Sequence, residues 1–311
     1  MSSSTLSTEL SEILSRVAAG GVAFASLTIA ERRKRMEMFN PPICAAGVTA
    51  TACGEVPGAL LLTPGDALSD GPIIFYVHGG GFITGSPEIA LGAASGVAAR
   101  TGMRVLVPRY RLAPEHPYPA QLDDLERAWK ECVGGLAPSA LSVFGESAGG
   151  NLAQSLMHRL GSAGRQAVAV IVLLSPALDL TLSGSSMTSN ETHDILFTRD
   201  SFLEMRTMYA PGADYVDPEL SPLFGELSDF PPVRLMCSST EMLRDDSLRL
   251  VAQIGAADGS VELVMRPGMP HCWPVFAGSQ FPEAQVGLDR VAQWLCDPHG
   301  VRAPHLTEHV G

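Results

Sequence analysis

A serine flanked by glycines two residues to either side, Gly145-Glu146-Ser147-Ala148-Gly149, lies between an apolar run at 141–144 and a helix-periodic stretch that begins at Ala148. In that setting the chain must turn from strand to helix so tightly that the serine is held strained and exposed, and only glycines at both flanks let it pack there. Ser147 is therefore a candidate nucleophile. A chance glycine-rich turn is the rival reading, and the strand–turn–helix context is what weighs against it. A second signal is His78-Gly79-Gly80-Gly81, directly after the apolar run 73–77. Acyl transfer builds negative charge on a carbonyl oxygen, and backbone N–H groups with no side chains in the way can point at it. Gly79 and Gly80 would join the amide of Ala148 in such an oxyanion hole, with Gly81 needed mainly for the turn. A phosphate cradle is disfavoured because no Lys-Ser or Lys-Thr pair follows. His78 itself, at the entrance of the turn, reads as a structural hydrogen bonder.

A serine nucleophile needs a base, and the base needs an orienting carboxylate. Among eight histidines, position selects His271, which follows the expected last core strand at 261–265 and the turn Pro267-Gly268-Met269-Pro270. His299, His305 and His309 fall in an irregular tail, His116 precedes the serine, and His158 sits on the helix after it; each reads as a surface or structural histidine. The acid should come from the loop after the strand 233–236, where Glu241 is the first carboxylate. Asp245 and Asp246 begin the next helix, a place where acidic residues also favour the N-terminal dipole.

These groups need a scaffold. Short apolar runs at 59–62, 73–77, 105–107, 141–144, 168–174, 233–236 and 261–265 read as strands, separated by helical stretches at 89–100, 120–132, 148–160, 244–254 and 283–295. Alternation of this kind predicts a mostly parallel sheet covered on both faces. Residues 179–232 hold no strand and one helical stretch, 201–209, an insertion over the edge of the sheet. Ahead of the core, Leu6, Leu10, Ile13, Leu14 and Val17 recur at helical spacing, and a second amphipathic helix over 29–39 carries Arg32, Arg33, Lys34 and Arg35, read as a solvated face rather than an anion site. The expected organisation is an N-terminal pair of cap helices at 1–42, an α/β core at 43–297 with a cap insertion at 180–230, and an irregular tail at 298–311.

Composition bounds the partners. Twenty-one Lys plus Arg against 33 Asp plus Glu give a net charge of −12, the wrong sign for gripping nucleic acid. Six cysteines, with no C-x-x-C pair, suit a reduced interior and neither a zinc ribbon nor a disulfide framework. The apolar stretch 17–30 is too short to span a bilayer and is broken by Gly20, Gly21, Ser26 and Thr28. The first twelve residues hold Glu9 and Glu12 and no Lys or Arg, so Ala23-Phe24-Ala25 does not read as a signal-cleavage site. The expectation is a cytoplasmic protein without a membrane or nucleic-acid partner.

The sequence resembles the hormone-sensitive-lipase-like family of α/β-hydrolases, in its bacterial esterase branch. The likeness rests on the 78–81 glycine run, the 145–150 elbow, Tyr110-Arg111-Leu112-Ala113-Pro114-Glu115-His116-Pro117, Ser175-Pro176 with Asp179, and Ser221-Pro222-Leu223. The leader, the segment from Gly54 through Gly58 and Met269-Pro270-His271 place it nearest the monoterpene ε-lactone hydrolase and acetyl-hydrolase type. The resemblance implies an eight-stranded core sheet under a helical cap, and hydrolysis of short-chain or cyclic carboxylic esters through an acyl-enzyme, with no metal or organic cofactor. The family's D-P-L-x-D stretch matches Glu241-Met242-Leu243-Arg244-Asp245, so a glutamate stands at the acid's position and Asp245 is the alternative. Arg109 stands where an Asp is common. Met36, Phe39, Phe202, Met205, Met208 and Tyr209 are candidate pocket residues, although Met and aromatics at helical spacing also serve as plain core. The partner is a small-molecule ester or lactone; self-association as a homodimer is left open. An amide hydrolase or deacetylase on the same triad, or a non-catalytic small-molecule receptor of the same fold, is the alternative function. Such a receptor would be expected to have lost Ser147 or His271, and both are present.

Overall fold

Five consecutive apolar residues, Ile73–Val77, are completely buried, a pattern that belongs to a central strand covered on both faces. Alternate residues go to opposite layers: Ile73, Phe75 and Val77 join one apolar core, Ile74 and Tyr76 the other, the period-2 consequence of strand geometry. The computed structural model describes residues 6–19, 27–53, 58–134, 140–300 and 305–308. Gly20, Gly21, Ala23 to Ser26, the 54–57 segment and His309, all invoked above, lie outside them.

The strands are β1 (Val48–Ala52), β2 (Leu60–Pro64), β3 (Ile73–Val77), β4 (Arg104–Val107), β5 (Leu141–Glu146), β6 (Val168–Leu174), β7 (Val233–Ser238), β8 (Val261–Arg266) and β9 (His305–Glu308). They form a single sheet in the order β1-β2-β4-β3-β5-β6-β7-β8-β9. The β1/β2 and β2/β4 pairs are antiparallel and the rest parallel. The expected eight strands are present, and a ninth comes from the tail read as irregular: residues 305–308 run alongside β8, with His305 opposite Glu262. Strand β1 carried no signal because Val-Thr-Ala-Thr-Ala buries only its valine.

Helices α3 (Pro87–Thr101) and α9 (Pro282–Cys296) supply Ala94, Val97, Leu288 and Val291 to one core. Helices α4 (Ala120–Ala128), α5 (Ala148–Gln166) and α8 (Arg244–Ala256) supply Leu122, Leu152 and Leu250 to the other. The leader forms α1 (Thr8–Ala19) and α2 (Ile29–Phe39), and the insertion forms a short α6 (Ser186–Ser189) and α7 (Arg199–Tyr209). No helix among the described residues is long and apolar enough to cross a membrane.

The leader does not behave as a freely solvated basic helix. Arg32 is 1% exposed and pairs with Glu204 of α7 at 2.8 Å. Arg33 pairs with Glu115 and donates to the carbonyls of Ile83 and Ala113. The solvated-face reading therefore fails for these two arginines, which fasten α2 to the insertion and to the loop after β3. Their partners are distant in sequence, so helical periodicity could not find them.

Candidate active site

The residues singled out for chemistry sit on loops at the carboxyl ends of four parallel strands, β3, β5, β7 and β8, where open α/β sheets bind their ligands. After β5, Ser147 takes φ 53° and ψ −124°, a left-handed backbone that a non-glycine residue holds only when its surroundings enforce it. The enforcement is visible: the Ser147 amide donates to Leu174 O at 2.9 Å, and Ser147 O accepts from Gly150, Asn151 and Ala177. A Cβ on Gly149 would lie 2.2 Å from Val77 O, so α5 can start this close to β3 only with glycine there.

The loop after β3 is held by its histidine. His78 is buried, its Nδ1 lies 2.9 Å from Gly79 O, and its ring stacks on Tyr110 at 4.2 Å. Tyr110 Oη donates to His78 O at 2.8 Å. Burial pushes the His78 imidazole down to about 4, so it is neutral at ordinary pH, as a structural role requires. Gly80 has φ 116° and its carbonyl accepts from Ile83 and Thr84. Its own amide, like those of Gly81 and Ala148, donates to no acceptor among the described residues. The Gly79 amide lies close enough to the Glu146 carboxyl to favour its ionised form, although burial outweighs this and raises the Glu146 pKa; Tyr76 Oη also donates to that carboxyl, at 2.6 Å.

After β8, His271 is 8% exposed and its Nδ1 stands 2.7 Å from Glu241 Oε2. Glu241 Oε1 accepts from the amide of Ser238 at 2.9 Å, so both carboxylate oxygens are engaged and the side chain is aimed. The opposite ring nitrogen, His271 Nε2, is buried and has no hydrogen-bond partner among the described residues, and His271 shares the wall of one cavity with Ser147. Asp245, the alternative acid, is committed elsewhere: its carboxylate accepts from Ser185 Oγ at 2.6 Å and the Ser186 amide at 2.9 Å, tying the insertion to the start of α8. Asp246 is not a mere dipole complement, because its buried carboxylate accepts from the amides of Leu178 and Asp179 and pairs with Arg249.

Burial disfavours the His271 imidazolium, but the neighbouring Cys272 sulfur and the Glu241 carboxylate outweigh it and hold the pKa well above the usual 6.5. A base must be neutral to accept a proton, so kcat/KM against pH should rise along a limb displaced above the ~6.5 reference value rather than centred on it. A limb at or below that reference value, measured over a pH series with an uncharged ester, would contradict the assignment of His271.

The cavity encloses about 510 Å³ and is largely apolar, within the ~300–1,000 Å³ of small-molecule sites. Met36, Phe39, Phe202 and Met205 line it. Met208 and Tyr209 do not: Tyr209 is wholly buried with its ring stacked 3.8 Å from Phe82, and Met208 packs against the core. On α7 the Phe202–Met205 face looks into the cavity only over the middle turns; one turn later the same face meets protein.

Several further residues shape the site, though the sequence does not single them out for chemistry. Ser175, with φ 44°, accepts the Cys272 amide on its Oγ and so anchors the His271 loop. Phe197 sets its ring edge-on to the His271 imidazole at 5.1 Å. Arg109, where the family pattern has Asp, pairs with Glu88 at the start of α3. Among the described residues no group of three or more His, Cys, Asp or Glu side chains is disposed to hold a metal ion.

A family model described as alpha/beta hydrolase fold matches residues 74–275. The chain is 35% identical over 228 residues to an esterase of Acinetobacter venetianus, covering 71% of this chain and 74% of that protein. It is 33% identical over 208 residues to an acetyl-hydrolase of Streptomyces hygroscopicus, covering 67% and 70%. Among solved structures it is similar to a hormone-sensitive lipase from a metagenome library, with TM-score 0.84 and 30% identity over 94% of this chain and 99% of that one. An esterase of the bacterial hormone-sensitive lipase family superposes with TM-score 0.85 and 29% identity, over 96% and 100%.

Proposed function

The chain belongs to the bacterial hormone-sensitive-lipase-like esterases of the α/β-hydrolase fold and is a serine carboxylester hydrolase; on that premise we propose that Ser147, His271 and Glu241 are its catalytic triad and that its substrates are short-chain or cyclic esters. The observation that carries the assignment is the 2.7 Å contact between Glu241 and His271 Nδ1, with Ser147 on the same cavity wall and His271 Nε2 without a hydrogen-bond partner among the described residues.

In this reading the Glu241 carboxylate accepts from Nδ1–H, which leaves the Nε2 lone pair to take the hydroxyl proton of Ser147 as Oγ attacks the ester carbonyl. The oxyanion sits on the amides of Gly79, Gly80 and Ala148, with Gly81 turning the chain. His271 then hands the proton to the departing alkoxide, activates water against the acyl-enzyme, and the acid is released. Helix α2 and the insertion act as the cap, and Met36, Phe39, Phe202 and Met205 accommodate the acyl group. The apolar wall supports uncharged acyl chains, and its volume supports compact or cyclic ones. A cytoplasmic setting fits Cys44, Cys237, Cys272 and Cys296, which form no disulfide among the described residues.

A panel of p-nitrophenyl esters of increasing chain length, lactones and aryl amides tests the substrate class. Hydrolysis of short esters or lactones, with aryl amides far slower and EDTA without effect, is the expected result. Faster turnover of aryl amides would move the protein to the amidase reading, and loss of activity on chelation, restored by zinc, would argue for a metal-activated water.

A further inference from the structure

The insertion does more than roof the cavity. Asn190, nine-tenths buried, donates from Nδ2 to Ser239 O at 3.0 Å and to Glu241 O at 2.8 Å. Four residues later, Asp194 Oδ2 accepts from the Met242 amide at 3.0 Å. The main chain around Glu241 is thus gripped at three points by side chains of one short segment about fifty residues away. That segment also faces the substrate space. Asp194 Oδ1 accepts from the amides of Leu196 and Phe197, a turn that puts Ile195, Leu196 and Phe197 on the cavity wall and sets the Phe197 ring against His271.

Strand β7 alone cannot account for how the acid is aimed. Within its own loop, Glu241 is tied back by the Ser238 amide through one carboxylate oxygen, and its carbonyl accepts from the Arg244 amide at 3.3 Å, whereas the shorter bonds to the peptide groups around it, which decide where the side chain starts, come from the insertion. From these contacts we infer that Asn190 and Asp194 are positioning residues for Glu241, so that the segment forming one wall of the substrate cavity also holds the acid of the triad in register. This rests on the triad reading above. The groups facing His271 are Glu241 from the β7–α8 loop, Cys272 beside it and Glu146 from the elbow. Of these, only Glu241 is gripped by Asn190 and Asp194, so loosening the grip should lower the affinity of the imidazole for its proton through that carboxylate.

The test is the pH profile of kcat/KM for p-nitrophenyl acetate with Asn190→Ala, Asp194→Asn and, as a control on the same segment, Glu191→Gln. A misplacement of about 1 Å can cost about 100-fold, so Asn190→Ala and Asp194→Asn should each lose roughly 10- to 100-fold, chiefly in kcat, with the ascending limb displaced to lower pH. Glu191→Gln should leave both rate and limb in place. Loss of thermal stability with an unmoved limb would overturn the inference and leave a merely structural brace. Should Asn190→Ala fail to fold, Asp194→Asn, which removes one acceptor without changing size, decides alone. Ser147→Ala separates the two claims: if it remains active the triad reading fails, whereas an inactive Ser147→Ala beside unmoved limbs refutes only the positioning role.

Discussion

Ser147→Ala should abolish ester hydrolysis while leaving the thermal melt close to wild type. The serine hydroxyl supplies the electrons for the new acyl bond, and in a serine protease its removal alone costs about 10⁶ in kcat. A fall of at least about 10³ is expected here even if solvent water attacks within the residual oxyanion hole. The fold should not notice, because the elbow is held by backbone bonds from Ser147 N and O, which alanine keeps, and by glycine packing at Gly149. Undiminished turnover of the variant would remove Ser147 from the mechanism. A collapse in melting temperature would show instead that the hydroxyl supports the elbow.

Glu241→Gln should be nearly as damaging, and for a reason that distinguishes it from its neighbour. An amide nitrogen facing Nδ1 would donate to it, putting the imidazole proton on Nε2, where it can no longer accept from Ser147. The equivalent acid-to-amide change in a serine protease costs ~10⁴ in kcat, so a loss of at least roughly 100-fold is expected. With the carboxylate gone, the ascending pH limb should also move down, because Glu241 is one of the groups that raise the His271 pKa. Asp245→Asn should leave kcat within a few-fold and lower the melting temperature, since the Asp245 carboxylate holds Ser185 and Ser186 rather than His271. An inactive, folded Asp245→Asn beside an active Glu241→Gln would transfer the role.

How legible this site was depends on whether a residue's task is local. The elbow around Ser147 could be read because its constraint is written within five residues: glycines where β5, α5 and β3 touch. The turn at His78 is equally local, and the places of Glu241 and His271 after successive strands mark them as the proposed acid and base. What escaped were residues whose partners lie far along the chain. Asn190 and Asp194 look like ordinary loop polars until the β7–α8 loop is brought against them. Arg32 looks like part of a solvated basic face until Glu204, 172 residues on, closes over it. Tyr209 and Met208 share the apolar periodicity of Phe202 and Met205, and period alone cannot say which turn of a helix faces a cavity and which faces protein. Strand β9 pairs through its backbone at the sheet's end, a role that leaves little mark in side-chain patterning.

The most direct measurement is to treat the wild-type protein with an organophosphonate ester and locate the adduct by peptide mass spectrometry. Such reagents phosphonylate a serine in proportion to its activation by its base. A single adduct on Ser147, formed in step with loss of esterase activity, is the expected result, together with much slower labelling of Glu241→Gln. Inactivation with the label on another residue, or full activity retained after complete labelling of Ser147, would contradict the proposed triad.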